Sequence, residues 1–392
     1  MDEIKARGVI MRVAVGQSDA EDAIEAVLAA VAHDGPQSPH AAILYASIDY
    51  DHEVLVAHVR AKYPGIRLVG GSATGTAERA AYLSDGVALT VFEDGNATFA
   101  VGAGEALSQD VPAACVTAVG QLMTQLSETP KIVVVLADGL AGDMDVVAQS
   151  LKGAFGADPP RIFGGCSADD FRFEKTQQYA DDAVLTHSVV LLAIGGDVTV
   201  GVGVGTGWKP VGSPMKVTRS AGSTVQEIDG VPAYDVYRER LGEIESQQLI
   251  EFPLAIMPSA DDDELYSLRT VHTRLDDGAL AAFGTVPEGA CVRMTVASDG
   301  DILDGARDSN RDALAQNPAP EAVMLVSCGA RQTLLGTRVA EERLSIGDQL
   351  AASGLPDVPY LVLYGYGETG TDATARTGFC DETCISVALS GG

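Results

Sequence analysis

The strand end RLVGGSATGT (67–76) returns as RIFGGCSADD (161–170). A chain that writes the same strand end twice is built from repeats. The likeness extends to both flanks. HAAILYASID (40–49) and KIVVVLADGL (131–140) are apolar runs of strand length. Each leads into a segment with helical spacing, through Val54, Val56 and Val59 in the first and Val146, Val147, Leu151 and Phe155 in the second. After each Gly-Gly step a polar loop leads to one more strand, GVALTVFED (86–94) and SVVLLAIGG (188–196). The pattern predicts a strand–helix–strand–strand unit duplicated over 41–104 and 131–196.

A weaker echo follows. EAVMLVSCGAR (321–331) is a strand ending in small residues, and RVAEERLSIGDQLAASG (338–354) is helical with a glycine stop. PYLVLYGYGETG (359–370) breaks into glycines and an acid, and TCISVALS (383–390) closes the unit. Between the second and third units, 197–300 alternates in strand fashion, interrupted by a helix over 231–244 that opens on Pro232. The fold class expected is α/β (mixed α+β), in two domains built from repeated strand–helix–strand–strand units with mixed sheets. The first domain, 1–230, holds the duplication, and the second, 231–392, holds the third unit.

The length of 392 residues supports more than one core, since single cores stop growing near ~250–300 residues. Aromatics are only 5% of the chain, so those cores must be Val, Leu, Ile and Ala. No apolar run approaches the ~20 residues that span a bilayer, and the start carries acids where a signal peptide has bases. A soluble cytoplasmic protein is expected. A net charge of −29 repels nucleic acid and anionic membrane, so neither is an expected partner. The six cysteines form no CxxC and the six histidines have no metal-ligand spacing, so no metal is expected.

Glycines at a strand end let another backbone approach, and in open sheets ligands bind outside such ends. Two repeated ends give either two edges of one cleft or one working edge and one relic. Only the later copy carries acids, so Gly164, Gly165, Ser167, Asp169 and Asp170 are candidate ligand-binding residues. The third unit adds Arg331, Glu341, Gly365, Tyr366, Gly367 and Glu368. An arginine fork holds a carboxylate, and Asp169 or Glu368 would hold an amine. The competing reading is an internal ion pair of Arg331 with Glu368 or Glu341 that ties helix to sheet. Catalytic motifs are absent. GVGVGTGW runs into WKPVGSP and cannot open a helix, and neither Ser72 nor Ser167 fits a nucleophile elbow. Cys328 and Cys166 read as buried packing.

RIFGGCSADD, the stretch GTGWKPVGSPMKVTRSAGSTVQEIDGVPAYDVYRERLG, LVSCGARQTLLG, the Glu341–Glu342 pair and LYGYGE together resemble the FIST sensory proteins, with N- and C-terminal FIST domains, over about residues 40 to 385. The resemblance implies an intracellular sensor of a small ligand, an amino acid or related metabolite. Its output would pass through a separate signalling protein such as a histidine kinase or a cyclic-nucleotide enzyme, because no segment of the chain is left over for one. Some members are haem proteins that sense nitric oxide, so a haem-based sensor is the alternative, with His187 as the best-placed axial ligand; an enzyme comes third. No cofactor is expected. Where the family reads Phe-His-Asn-x-Thr, this chain has Phe379, Cys380, Asp381, Glu382 and Thr383. Asp381 therefore stands where the family has an amide.

Overall fold

The computed structural model describes residues 11–33, 35–258, 267–371 and 377–392. Its chain makes one unit three times. The first runs β1 (Arg12–Ser18), α1 (Ala23–His33), β2 (Ala41–Ala46), α2 (His52–Lys62), β3 (Arg67–Ser72), a hairpin of β4 (Gly75–Ala77) and β5 (Tyr82–Leu83), and β6 (Val87–Glu93). The second is β7 (Ala97–Gly104), α3 (Val111–Met123), β8 (Ile132–Asp138), α4 (Met144–Phe155), β9 (Arg161–Ser167), the hairpin β10 (Gln178–Ala180) and β11 (Ala183–Leu185), and β12 (Val189–Gly196).

The third unit opens with β13 (Val198–Gly205) and is then interrupted by an inserted β-rich body. That body comprises β14 (Lys209–Ala221), β15 (Thr224–Ile228), β16 (Val231–Pro232), α5 (Ala233–Leu241), α6 (Ser246–Leu249), β17 (Leu254–Met257), β18 (Ser267–Arg269), β19 (Val271–Arg274), β20 (Leu280–Ala282) and β21 (Cys291–Val296). The unit resumes with α7 (Asp299–Gln316), β22 (Ala322–Cys328), α8 (Gly329–Leu335), α9 (Ala340–Ala352) and β23 (Tyr360–Gly365). The hairpin β24 (Glu368–Thr371) and β25 (Thr377–Cys380) and then β26 (Cys384–Gly391) complete it. The fold is thus α/β with mixed sheets. Outside the inserted body the chain divides by sheets into three. β7, the last strand of the span 41–104, pairs with β12 in the second sheet, and β13, which precedes residue 231, pairs with β26 in the third.

Local chemistry sets the helix starts. Asp51, Asp110 and Asp143 each cap a helix by accepting a backbone N–H, and Ser298 and Asp301 form a reciprocal box at the head of α7. Within each unit the strand order is the same: β1-β6-β2-β3, β7-β12-β8-β9 and β13-β26-β22-β23, with only the last pair parallel. Each hairpin leaves its own unit. β10-β11 extends the first sheet, β24-β25 the second and β4-β5 the third, so each of these three sheets has six strands and the exchange closes in a ring. Inward faces of the three sheets meet in one core, with Ile43, Val134, Leu136, Met324 and Leu363 among its members, while helices cover the outer faces. The inserted body has its own core around Tyr234 and Tyr237. Among the described residues no helix is long and apolar enough to cross a membrane.

The ring explains the repeated strand ends. Ala168 N donates to Ser72 O, Cys166 N to Gly367 O, and Thr74 N to Tyr364 O, so each unit is stitched to the next where β3, β9 and β23 finish. A Cβ on Gly165 would run into Gly367 O, and one on Gly365 would run into Cys166 O. Only glycine leaves room for these backbones to meet.

Candidate functional site

Beside this junction, between the ring and the inserted body, lies a cavity of about 750 Å³. The loop after β9 forms one wall. It holds Asp170, Phe171 and Phe173 at positive φ of 56°, 58° and 54°, a left-handed conformation that costs a non-glycine residue ~1–2 kcal/mol. Asp169 holds that loop in place. Its carboxylate accepts from the backbone N–H groups of Phe173, Glu174 and Lys175 at 3.0, 2.7 and 2.9 Å, and from Tyr366 Oη at 2.5 Å. Burial alone would raise its pKa, but these four donors outweigh burial and hold it below the ordinary value.

The loop serves to present aromatic rings. Phe173 stacks on Tyr366 with centroids 5.0 Å apart, and Phe171 lies 5.8 Å from the same ring. Phe283 of the inserted body continues the wall, with His272 stacked on it at 4.3 Å. Phe171 and Phe173 remain 39% and 49% exposed, unusual for large apolar side chains unless a partner or ligand is to cover them. Cys328, Gly329 and Ala330, at the end of β22 and the head of α8, line the cavity too, with Gly329 packed against Phe171.

Asp381 lines the cavity as well, and behind it stand Glu368 and Glu382, both wholly buried. Glu382 accepts from Thr270 Oγ1 at 2.9 Å, and Asp381 accepts from Thr270 N at 3.3 Å. Glu368 accepts from Thr383 Oγ1 at 2.6 Å through one oxygen. The other oxygens, Glu368 Oε1 and Glu382 Oε2, have no hydrogen-bond partner among the described residues. Burial pushes all three acids up, Asp381 to about 8 despite nearby Arg269, and Glu368 and Glu382 well above their ordinary value. Burial thus favours the protonated form of each, in which a carboxyl donates a hydrogen bond, and a cation brought beside it would favour ionisation. Burial also raises the Cys328 thiol far above its usual range, with Glu368 adding to it, so Cys328 is no thiolate nucleophile.

The inserted body is held over the site by charged and polar contacts. Arg269 Nη2 meets both oxygens of Asp145 at 2.8 and 3.0 Å, Thr285 N donates to Asp145, and Thr285 Oγ1 donates to Asp143. The two acids are in and just ahead of the first turn of α4, so one helix start receives the insert.

The residues expected from sequence divide sharply. Tyr366 lines the cavity, Asp169 supports its wall, and Glu368 stands behind its floor. Gly164, Gly165, Gly365 and Gly367 belong to the strand junction, and Ser167 is buried there against Gly71. Asp170 accepts from Ser47 on the far side of the loop. Arg331 is fully buried, and its donors are taken by Glu342 at 2.6 Å, Ser327 Oγ and the carbonyls of Thr206 and Ile302. The ion pair expected with Glu368 or Glu341 is therefore made with Glu342. Glu341 lies on the surface paired with Arg338, because its neighbour in α9 takes the inward face. His187 does not line the cavity; its backbone N–H binds Asp138.

Sequence reasoning missed Phe171, Phe173, Phe283, His272, Asp381 and Glu382 as members of one site. The signal available was the pair of consecutive acids in GFCDETCISVAL, an otherwise apolar run.

Comparison with known proteins supplies the family. The model of the FIST N domain matches residues 40–231, and that of the FIST C domain matches 233–371. An uncharacterized protein of Methanocaldococcus jannaschii is 37% identical over 82 residues, 21% of this chain and 16% of that protein, so the chain spans under a fifth of its length. A cyanuric acid hydrolase from A. caulinodans aligns over 96% of this chain and 99% of its own at 12% identity with a TM-score of 0.38, too slight a likeness to bear on chemistry. FIST domains are sensory domains of signal transduction that bind small ligands, and with both domain models matched in order across most of its length this chain belongs to the FIST family.

Proposed function

We propose that the cavity between the ring and the inserted body is the sensory site, and that it takes a small amine-bearing metabolite, an amino acid or a related compound. One observation carries this: an aromatic-walled cavity lined by the buried acid Asp381, with Glu368 and Glu382 buried behind it and burial favouring the protonated form of all three. Aromatic faces attract cations, and a carboxyl deprived of water gains most from a charge of opposite sign. The site serves binding rather than turnover, a reading supported by the neutral thiol of Cys328. It works in the cytoplasm without a cofactor. The signal leaves when the ligand, touching both bodies, changes how the insert sits on α4. A separate signalling protein, such as a histidine kinase or a cyclic-nucleotide enzyme, reads that change.

Thermal shift against a panel of amino acids, amines and carboxylic acids tests the reading. A compound that raises Tm in the wild type and not in Phe173→Ala supports it. No response from any amine-bearing compound, or an equal response in both proteins, rejects it.

A further inference from the structure

The three units share one backbone, so a position that differs among them shows where function was added. Glu368 is such a position. It opens the hairpin strand that crosses to the neighbouring sheet and pairs with Gly165, the second glycine of its strand end. Gln178 does the same in the preceding unit, pairing with Gly71. A hydroxyl from the start of the closing strand reaches each: Ser188 Oγ donates to Gln178 Oε1 at 3.0 Å, and Thr383 Oγ1 donates to Glu368 Oε2 at 2.6 Å. Gln178 then spends its amide on Thr176 Oγ1 at 2.8 Å. In the third unit the residue two places before Glu368 is Tyr366, whose hydroxyl is committed to Asp169. Glu368 Oε1 is left without a partner among the described residues, in a wholly buried place. A buried polar atom with no partner costs ~1–3 kcal/mol, so its retention calls for a ligand or a proton-borne function.

We infer that Glu368, Glu382 and Asp381 form a proton-releasing subsite for a primary ammonium group, on a ligand whose apolar body lies along Phe173 and Tyr366, and that within the amine-bearing class proposed above the site selects a related amine without a carboxylate over an amino acid. This rests on the reading of the cavity as the ligand site and names the chemistry of that ligand. The absence of a carboxylate follows from the lining, which holds no arginine or lysine among the described residues. Arg331 is enclosed and engaged with Glu342, and Arg269, beside the lining Thr270, is engaged with Asp145. The groups facing the acids include Arg331 from α8, Arg269 from the insert, Asp145 from α4, and the thiols Cys166, Cys328, Cys380 and Cys384. His272 lines the cavity with its basicity lowered by burial and so does not supply a competing cation. In the empty site burial favours the protonated form of the acids. The amine arrives as R–NH₃⁺, one carboxyl O–H gives its proton to bulk water, and the resulting carboxylate pairs with the ammonium. Charge is conserved, and one proton is released for each ligand bound.

Calorimetric titration at pH 7 with 2-phenylethylamine, its neutral isostere 2-phenylethanol and phenylalanine, each in two buffers of different protonation enthalpy, tests this. The amine should bind about ten- to a hundredfold more tightly than the alcohol, consistent with charged hydrogen bonds. Its apparent enthalpy should track the buffer with release of close to one proton. Phenylalanine should bind more weakly than the amine. Glu368→Gln copies the residue that the second unit already accommodates, so it should fold; in it the affinity for the amine should fall at least tenfold and proton release should diminish. Tighter binding of the alcohol or of phenylalanine, amine binding with no proton release, or an unaltered Glu368→Gln overturns the inference. If the alcohol binds the wild type at least as tightly as the amine and fails to bind Phe173→Ala, the cavity stands as the ligand site while the ammonium assignment falls.

Discussion

Glu368 holds in the third unit the place that Gln178 holds in the second, each opposite the last glycine of a strand end and each accepting one hydroxyl. The two side chains are nearly the same shape. What separates them is that the amide is satisfied and the acid is not. Pseudo-equivalent units thus act as internal controls for one another.

The acids make stability fall as pH rises. Asp381 in the unfolded chain loses its proton near pH 4, and in the folded protein near pH 8. Between those values the unfolded state ionises freely and the folded state does not, so the contribution of the buried neutral acid is full below about pH 4 and is lost progressively up to about pH 8. The slope reaches ~1.4 kcal/mol per pH unit for one group, and Glu368 and Glu382 act in the same direction. Chemical denaturation from pH 5 to 9 should show Asp381→Asn with a flatter profile and greater stability than the wild type at pH 9. Parallel profiles would contradict the assignment.

Arg331 is a structural tie. Arg331→Ala leaves Glu342 buried beside no cation, a loss of about 3–5 kcal/mol. Replacing both partners, as Arg331→Met with Glu342→Leu, should recover most of it. Urea midpoints of the two variants check this; equal loss in single and double mutants would show that the carbonyls of Thr206 and Ile302 matter more than the ion pair.

Glycines should divide by place. Gly165→Ala forces a methyl into Gly367 O and should cost ~1–3 kcal/mol. Gly120, in the interior of α3 with open space around it, should gain ~0.5–1 kcal/mol on becoming alanine. The two Tm shifts should have opposite signs.

Arg269 ties the insert to α4 through Asp145. Arg269→Ala should raise amide hydrogen exchange in 267–274 and in the first turn of α4 while leaving β8 and β12 protected. Unchanged exchange would mean that the Thr285 contacts alone hold the insert.

The repeat and the mixed sheets were legible because alternation and Gly-Gly punctuation are local. The closing of the ring was not, because hairpin exchange depends on which sheet edge a segment meets, and RLVGGS reads the same in either case. Arg331 invited a ligand role as a guanidinium at a strand end, yet its partners Thr206, Ile302 and Glu342 come from three separate segments. Phe173 lies in the polar stretch FRFEK and Phe283 in the insert, so only folding reveals one wall. Of the site, Tyr366, Glu368 and Asp169 were within reach, since each follows a strand-end glycine or closes the duplicated motif.

The central claim is that the cavity holds the small ligand. Purified protein is incubated with a small-molecule extract, desalted and denatured, and the retained compounds are read by mass spectrometry. Ala330→Trp, which places an indole in the cavity from the α8 side, serves as the control. The account predicts a compound bearing an amine that the wild type retains at near-stoichiometric amount and the folded Ala330→Trp protein does not. Retention of the same compound by both proteins, or of nothing by the wild type, would contradict it.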